Sequence, residues 1–199
     1  MTSKIVNSPL KLEYVKTVGI INATATGRGF FNPYSIALSS DNRIFVLERG
    51  GMSLSRINVC TYEEEHIGEF ASWYGDVPGD KLLQQPSDIA FDSDDRLYVT
   101  NETNHQILVY DSSNTYHGSW GTYGDGEGEF NSPSGIAIDN DDHIYVVDQH
   151  NHRLQKFTTD GDFLTEWGVF GNSAGQFNMP WGVAIDTHGY VYVCLLYTS

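Results

Sequence analysis

The sequence predicts an all-β fold built from repeated four-stranded sheets, and three observations predict it. A repeated segment recurs along the chain at spacings of 53, 47 and 47 residues, and each copy begins at a proline. Each copy carries an alanine between two large apolar residues and, eight positions later, an aromatic residue. Each copy also divides into short apolar runs separated by turn residues, which is typical of β-strands.

The proline of each copy aligns the repeats. The matches begin at Pro33, Pro86, Pro133 and Pro180. The conserved small residues of the pattern are Ala37, Ala90, Ala137 and Ala184, and the aromatic residues are Phe45, Tyr98, Tyr145 and Tyr192. The alanine suits a crowded first strand, and a turn rich in Asp and Asn separates this strand from the second. The third strand is predicted at 105–110 and 152–157, and the fourth at 69–74, 116–121 and 162–168.

Four strands per repeat of this length predict a β-propeller, in which the sheets are blades around a shared axis. A stacked β-solenoid is the alternative, but its repeats are usually shorter, about 20–30 residues. Second strands such as IYVV at 144–147 are apolar without alternation. That pattern indicates a sheet covered on both faces, as blades are by their neighbours.

The repeats predict a single partial propeller over residues 1–199, with about three and a half blades. Blade 1 is predicted at 33–73, blade 2 at 86–120, blade 3 at 133–167 and an incomplete blade 4 at 180–199. The segment 12–19 aligns with the last strand of a repeat, so we expect it to complete the final blade of the ring, with Met1 a true start. The repeat pattern breaks off at Cys194, which predicts a truncated fragment whose last residues are foreign.

The segment DQHNHRLQKF at 148–157, with SPSGIAIDNDDHIYVVD before it, resembles an NHL repeat, and NETNHQILVY at 101–110 is a looser copy. The first repeat departs from the pattern, because GGMSLSRI at 50–57 replaces the Asn-His-Arg turn. The resemblance implies a six-bladed parent propeller. It leaves function open, since the NHL family includes RNA- and protein-binding modules, sensor domains and a zinc lyase that completes peptide amidation.

The charge of the chain narrows the choice of partner. Against 11 Lys and Arg stand 26 Asp and Glu, for a net charge of −15. This balance argues against nucleic acid, because Lys and Arg carry most of the affinity for phosphate backbones. Two cysteines are too few for a disulfide framework. With no apolar stretch of signal-peptide or membrane-span type, a cytoplasmic protein without membrane contact is expected.

The sequence offers two places for a metal site. The resemblance to the zinc lyase implies histidine ligands directly after the repeat prolines, but those positions hold Tyr34, Ser87, Ser134 and Trp181. At the end of the second strand, Glu48, Asn101 and Asp148 are equivalent, and similar oxygen ligands hold a divalent cation in propeller lactonases. The competing interpretation is that Asn101 and Asp148 cap their own turns. The turns DSDD at 92–95 and DNDD at 139–142 are expected to need no ion, and His150 with His152 is expected to belong to a turn.

A binding face is predicted where the inter-blade loops meet the turns between second and third strands. It combines acidic and aromatic side chains, which suits a cationic or peptide-like partner. Its members are Glu48, Arg49, Tyr74, Asn101, Glu102, Tyr123, Asp148, Gln149, His150 and Phe170.

The leading functional hypothesis is a propeller that binds a protein, peptide or small-molecule ligand as a scaffold, with no cofactor and no catalysis of its own. The alternative is a lactonase- or lyase-like enzyme with an axial divalent cation, Ca²⁺ or Zn²⁺. An RNA-binding NHL module is a third hypothesis, which the negative charge disfavours. No nucleophile elbow, phosphate loop or dinucleotide motif is present in the sequence.

Overall fold

The computed structural model of this chain describes residues 30–50, 55–63, 65–71 and 82–195. Within these ranges the regular structure is β-strand apart from two short 3-10 turns. The strands form three four-stranded antiparallel sheets, a two-stranded antiparallel sheet and a short parallel pair. The all-β prediction is confirmed. The strand predicted at 12–19 lies outside the described residues, and the described part of the chain has no helix with the length and hydropathy to span a bilayer.

Each four-stranded sheet is an up-and-down blade whose strands follow one another in space as they do in sequence. Blade 1 consists of β1 (Pro33–Leu38), β2 (Ile44–Glu48), β3 (Arg56–Cys60) and β4 (His66–Phe70). Blade 2 consists of β5 (Pro86–Phe91), β6 (Leu97–Asn101), β7 (Gln106–Tyr110) and β8 (Tyr116–Trp120). Blade 3 consists of β11 (Pro133–Ile138), β12 (Ile144–Asp148), β13 (Arg153–Phe157) and β14 (Phe163–Trp167).

The remaining strands belong to a half blade and to one inter-blade loop. Blade 4 consists of β15 (Pro180–Ile185) and β16 (Val191–Leu195), so its second strand continues through Cys194, where the repeat pattern ends. In the loop after blade 2, β9 (Thr122–Tyr123) pairs in parallel with β10 (Glu129–Phe130).

Strand register places the repeat proline opposite the last residue of the second strand. Pro86 lies opposite Asn101 and Pro133 lies opposite Asp148, and in both blades the register shifts directly after the proline. Proline donates no backbone hydrogen bond and is therefore tolerated at the first position of a strand. The proline thus begins the inner strand at the level where the second strand ends, next to the axis.

The hydrophobic cores lie between consecutive blades. One core contains Phe45 and Leu47 of blade 1 together with Leu97 and Val99 of blade 2, all at 2% exposure or less. Another joins Tyr98 of blade 2 to Val146 of blade 3. Every residue of β2, β6 and β12 is buried. The second strands are therefore apolar without alternation because they are covered on both faces.

The aromatic position of the repeat shows what a neighbouring blade contributes. Tyr98 is fully buried, and its hydroxyl donates to an Asp92 carboxylate oxygen at 3.0 Å. Tyr192 makes the same bond to Asp186 at 3.0 Å, yet its side chain is 58% exposed. The hydrogen bond belongs to the blade itself, and burial of the ring comes from the blade packed against it.

The Asp-rich turns between first and second strands join adjacent blades. Asp95 accepts from the backbone N–H of Ser40 at 2.9 Å and from its hydroxyl at 2.5 Å. Asp142 makes the same two bonds with Ser93 at 2.9 and 2.5 Å. The DSDD and DNDD segments therefore form tight turns whose last carboxylate holds the turn of the preceding blade.

Candidate functional site

The first residues of the four inner strands surround a cavity at the axis. Its volume is about 370 Å³. The lining residues are the first and second residues after the repeat prolines, with blade 1 contributing only the first: Tyr34, Ser87, Asp88, Ser134, Gly135, Trp181 and Gly182. The four positions where the zinc lyase resemblance implies histidine ligands therefore line this cavity, although they hold aromatic rings and hydroxyls.

Near the axis, adjacent blades approach closely enough for small side chains to hydrogen-bond from one blade to the next. Thr100 donates its hydroxyl to the Ser134 carbonyl at 2.7 Å, and Ser134 donates its hydroxyl to the Trp181 carbonyl at 2.8 Å. At Gly135 an added Cβ would lie 2.8 Å from the Gly182 Cα and 2.9 Å from the Trp181 carbonyl oxygen. The close approach of blades 3 and 4 at the axis therefore requires a glycine at position 135.

Two aromatic rings from blades 1 and 4 meet at the cavity. The rings of Tyr34 and Trp181 have centroids 6.3 Å apart and are inclined at 66°. The Arg49 guanidinium lies 4.8 Å from the centroid of Tyr34 and forms an ion pair with Glu102 at 2.7 Å. Glu102 also accepts from the Ser87 hydroxyl at 3.1 Å. Arg49 and Glu102, both members of the predicted binding face, therefore adjoin the cavity wall.

Asp88 is the lining residue that sequence reasoning missed. One of its carboxylate oxygens accepts from the Ser35 hydroxyl at 2.5 Å and from the Ile89 N–H at 3.0 Å. The other accepts from the Ile136 N–H at 3.0 Å, so this side chain joins blades 1, 2 and 3. Burial raises the pKa of Asp88, against the opposing effect of these hydrogen bonds. A signal existed, because the corresponding residues Ser35, Gly135 and Gly182 are uncharged.

Asn101 and Asp148 hold the inter-blade loop that precedes their own blade. Asn101 accepts from the Gln84 N–H at 2.6 Å and donates to the Leu82 carbonyl at 3.1 Å. Asp148 accepts from the Asn131 N–H at 2.7 Å. Neither side chain makes a capping hydrogen bond to the 3-10 turn that follows it. The capping interpretation is therefore corrected: the backbone N–H groups that donate to these side chains lie in loops 17 residues earlier in sequence.

The second oxygen of Asp148 lies in a buried polar network. It accepts from Asn151 at 2.8 Å, from the Arg153 Nε at 2.8 Å and from Gln155 at 3.1 Å. Arg153 extends the network to the carbonyl of Asp125 at 2.8 Å and to the Glu166 carboxylate at 2.8 Å. Burial raises the pKa of Asp148, and the hydrogen bonds to it act in the opposite direction.

Glu48 has a similar arrangement in blade 1. Its carboxylate is fully buried, forms an ion pair with Arg56 at 2.8 Å and accepts a hydrogen bond from Asn58. The oxygens of Glu48, Asn101 and Asp148 thus each serve donors of their own blade or of its preceding loop. A divalent cation would have to displace those donors, so the three side chains fit an axial metal poorly.

A second possible metal cluster is better explained as a turn. Within the described ranges, Asp139, Asp141 and His143 bring one ligand atom each within 4.8 Å of one another. The Asp139 carboxylate already accepts from the backbone N–H groups of Asp141 at 3.0 Å and His143 at 2.9 Å. It also accepts from Lys156 at 3.3 Å. This is an Asx turn, and it lies in the turn between first and second strands.

The predicted rim residues fall into two kinds. Tyr123 and Phe170 are exposed, at 68% and 65%, and each packs on a turn histidine with 4.9 Å between ring centroids: His105 and His152, respectively. Gln149 is buried, whereas His150 is exposed and its Nδ1 lies 3.1 Å from the hydroxyl of Ser132. Tyr74 lies outside the described residues.

The turn histidines connect the turn to the next inter-blade loop. The Nδ1 atom of His105 accepts from the Ser132 N–H at 3.1 Å, and that of His152 accepts from the Met179 N–H at 3.2 Å. Both histidines have a positive φ of 56°. Accepting through Nδ1 requires the neutral ring with its proton on Nε2.

We expect protonation of His105 to weaken the fold. Burial lowers its pKa below the ordinary value of 6.5, with Asp148 and Glu102 opposing and His150 reinforcing the shift. The folded state disfavours protonation of His105. The contribution of neutral His105 to stability is therefore fully present above about pH 6.5 and is lost as the pH falls through the lowered pKa. An NMR titration of the His105 Hε1 resonance should give a midpoint below 6.5, and urea unfolding of His105→Asn should depend less on pH than the wild type. A midpoint at or above 6.5 would contradict this.

Fold and site together define a β-propeller with a small polar and aromatic cavity at its axis. Residues 78–197 match the model of the DUF5128 family, described as 6-bladed beta-propeller, and the chain belongs to that family. Among curated proteins, none matches the chain significantly.

Solved structures with a similar fold include three enzymes. A catalytically inactive virginiamycin B lyase from Staphylococcus aureus, determined with quinupristin, has a TM-score of 0.59 at 14% identity and covers 81% of this chain and 48% of its own. Kuenenia stuttgartiensis hydrazine synthase has a TM-score of 0.62 at 18% identity, covering 92% and 46%. A gluconolactonase from Xanthomonas campestris has a TM-score of 0.57 at 14% identity, covering 80% and 55%. This chain spans about half the length of each, and identities this low show the fold alone.

Proposed function

We propose that this chain is part of an NHL-type propeller that acts by binding a small molecule or peptide at the axial cavity, without catalysis of its own. The observation that carries the proposal is the cavity of about 370 Å³ at the convergence of four inner strands. Ligand sites are concave, combine apolar walls with a few polar groups, and span about 300–1,000 Å³. Tyr34 and Trp181 supply the walls, and Ser87, Asp88 and Ser134 supply the polar groups.

The NHL assignment is supported by the contacts that the characteristic side chains of the repeat make. In the segment DQHNHRLQKF, Asp148 binds both Asn151 and Arg153, and His152 binds the next inter-blade loop. The spacing of these residues therefore has a structural purpose, which is to attach the loops to the blade at the axial end of the second strand.

Binding is favoured over the lactonase- or lyase-like alternative because the candidate metal ligands already have hydrogen-bond partners within the protein. Glu48, Asn101 and Asp148 already have protein donors on their oxygens. None of the described residues that line the cavity is a histidine. The lyase and the gluconolactonase share the fold with this chain, and shared fold alone carries no activity.

The test is a ligand screen with a variant that fills the cavity. Wild type and Ser87→Leu are compared by thermal unfolding against amino acids, amines, sugars, nucleosides and lactones, and binding is then measured by calorimetry. We expect at least one class to stabilise the wild type, by about 2.7 kcal/mol at a concentration of 100 Kd. The leucine side chain should abolish this effect.

Ser112→Leu is the matched control, because Ser112 is an exposed serine of the same blade in the turn between β7 and β8. This variant should bind as the wild type does. If no class stabilises the wild type, or if Ser87→Leu and Ser112→Leu bind equally well, the axial cavity is not the ligand site.

A further inference from the structure

We propose that the axial cavity takes a small organic cation of the ammonium class, with the Asp88 carboxylate as its counter-ion and Tyr34 and Trp181 as its aromatic walls. This inference rests on the proposed ligand-binding function and specifies its ligand chemistry.

Asp88 is the carboxyl group of the cavity wall that has no charged partner in the part of the chain that the structure describes. Asp88 receives its hydrogen bonds from a hydroxyl and two backbone N–H groups, all of them neutral. Among the ion pairs of the described residues, none includes Asp88. The charged neighbours at the wall, Arg49 and Glu102, pair with each other at 2.7 Å and cancel. Within the described ranges the cavity wall therefore contains one carboxyl group without a cationic partner, and a cation bound beside it would favour its charged form against the effect of burial, which raises its pKa.

The aromatic walls of the cavity also favour a cation. A cation within about 6 Å of an aromatic centroid is attracted by the ring quadrupole, and recognition of ammonium groups uses this attraction. The Arg49 guanidinium already lies 4.8 Å from the Tyr34 centroid, so a ring of this wall holds a cation in the present structure. Trp181 supplies the second ring, 6.3 Å away.

The volume of the cavity and the negative charge of the chain both favour a small cationic ligand. A volume of about 370 Å³ suits a small molecule. Asp88 repels carboxylates and phosphates, and a net charge of −15 over the chain attracts cations towards it. A neutral ligand could use the hydroxyls of Ser87 and Ser134 but would leave the Asp88 carboxylate without a partner of opposite charge.

The decisive experiment compares two probes of the same shape. Choline carries a quaternary ammonium group, and 3,3-dimethylbutan-1-ol replaces its nitrogen by carbon. Calorimetry with the full chain should show choline binding about tenfold or more tighter, because a buried charged partner is worth that much.

Asp88→Asn should remove the preference for choline. The amide has the shape of the carboxylate, but its nitrogen must face the N–H of either Ile89 or Ile136, so we expect the variant to fold with reduced stability. Circular dichroism and urea unfolding verify the fold. Asp94→Asn removes the same charge from an exposed position of the same blade and should leave choline binding unchanged.

Trp181→Leu provides a second variant that does not touch Asp88. It should weaken choline binding about two- to thirtyfold and affect the neutral alcohol less, because only the cation loses an aromatic partner. This variant keeps the inference testable if Asp88→Asn does not fold.

The outcomes separate the ligand class from the proposed function. Equal binding of the two probes, or unchanged choline binding in Asp88→Asn, overturns the cation inference. The same holds if choline does not bind at all. If a neutral compound from the wider screen still binds the wild type and not Ser87→Leu, the proposed function survives that failure; if none does, both fail.

Discussion

Asp148→Ala is expected to lower the free energy of unfolding by about 3–5 kcal/mol, since it removes one partner of a buried ion pair. Asp148 is fully buried, and Arg153 has 9% of its side chain exposed. The substitution deletes hydrogen bonds from Asn131, Asn151, Arg153 and Gln155 and releases the preceding loop from the blade. Urea unfolding monitored by circular dichroism measures the loss.

Asp160→Ala is the control for this variant, because Asp160 is an exposed aspartate of the same blade. Its effect should stay within about 0.5 kcal/mol, as for most surface substitutions. The same measurement separates the structural role of Asp148 from that of a metal ligand. If Asp148 were a metal ligand, Ca²⁺ or Zn²⁺ would stabilise the wild type but not Asp148→Ala. If Asp148 serves only the buried network, neither ion should stabilise either protein.

Gly135→Val is expected to destabilise the protein by about 1–3 kcal/mol or more, as overpacking of a filled interior does. The added Cβ meets the Gly182 Cα at 2.8 Å, the Trp181 carbonyl oxygen at 2.9 Å and the Val183 nitrogen at 3.0 Å. All three are backbone atoms, so no side-chain rotation relieves the contact and blade 4 must move away from blade 3.

Gly118→Ala is the matched control, since Gly118 lies in a strand and an added Cβ meets nothing within 4 Å. Alanine restricts the unfolded chain more than glycine, so this variant should be neutral or slightly stabilising. Urea unfolding of both variants, followed by tryptophan fluorescence, checks the contrast. Equal stability of Gly135→Val and Gly118→Ala would show that the blades are not tightly packed at the axis.

The blade architecture was predictable because each of its determinants is local and repeats. The aromatic positions Tyr98 and Tyr145 are buried in the second strands, and the alanine positions lie in the inner strands, as the repeat indicates. The turns between first and second strands were equally predictable, because Asx residues bind nearby backbone groups. The binding of the Asp95 carboxylate to Ser40 was not, because those two residues belong to different blades.

The candidate site was only partly predictable. The positions after the repeat prolines were identified as axial, and Tyr34, Ser87, Ser134 and Trp181 do line the cavity. The inter-blade role of Asp88 could not be predicted from the repeat, because its hydrogen bonds join it to residues of two other blades. The rim residues Tyr123 and Phe170 are exposed, but their support on His105 and His152 joins residues 18 apart in sequence and cannot be read from the pattern.

By itself the sequence determined the four-stranded blade, the order of its strands and the acidic character of the molecule, because periodicity, turn residues and charge are properties of short segments. The tertiary structure alone decided which polar side chains face the axis and which are occupied within a blade. Glu48, Asn101 and Asp148 resemble metal ligands in sequence, yet buried polar groups require partners, and nearby loops and arginines provide them. Asp88 differs, because its three hydrogen-bond partners are all neutral and none of the described residues forms an ion pair with it.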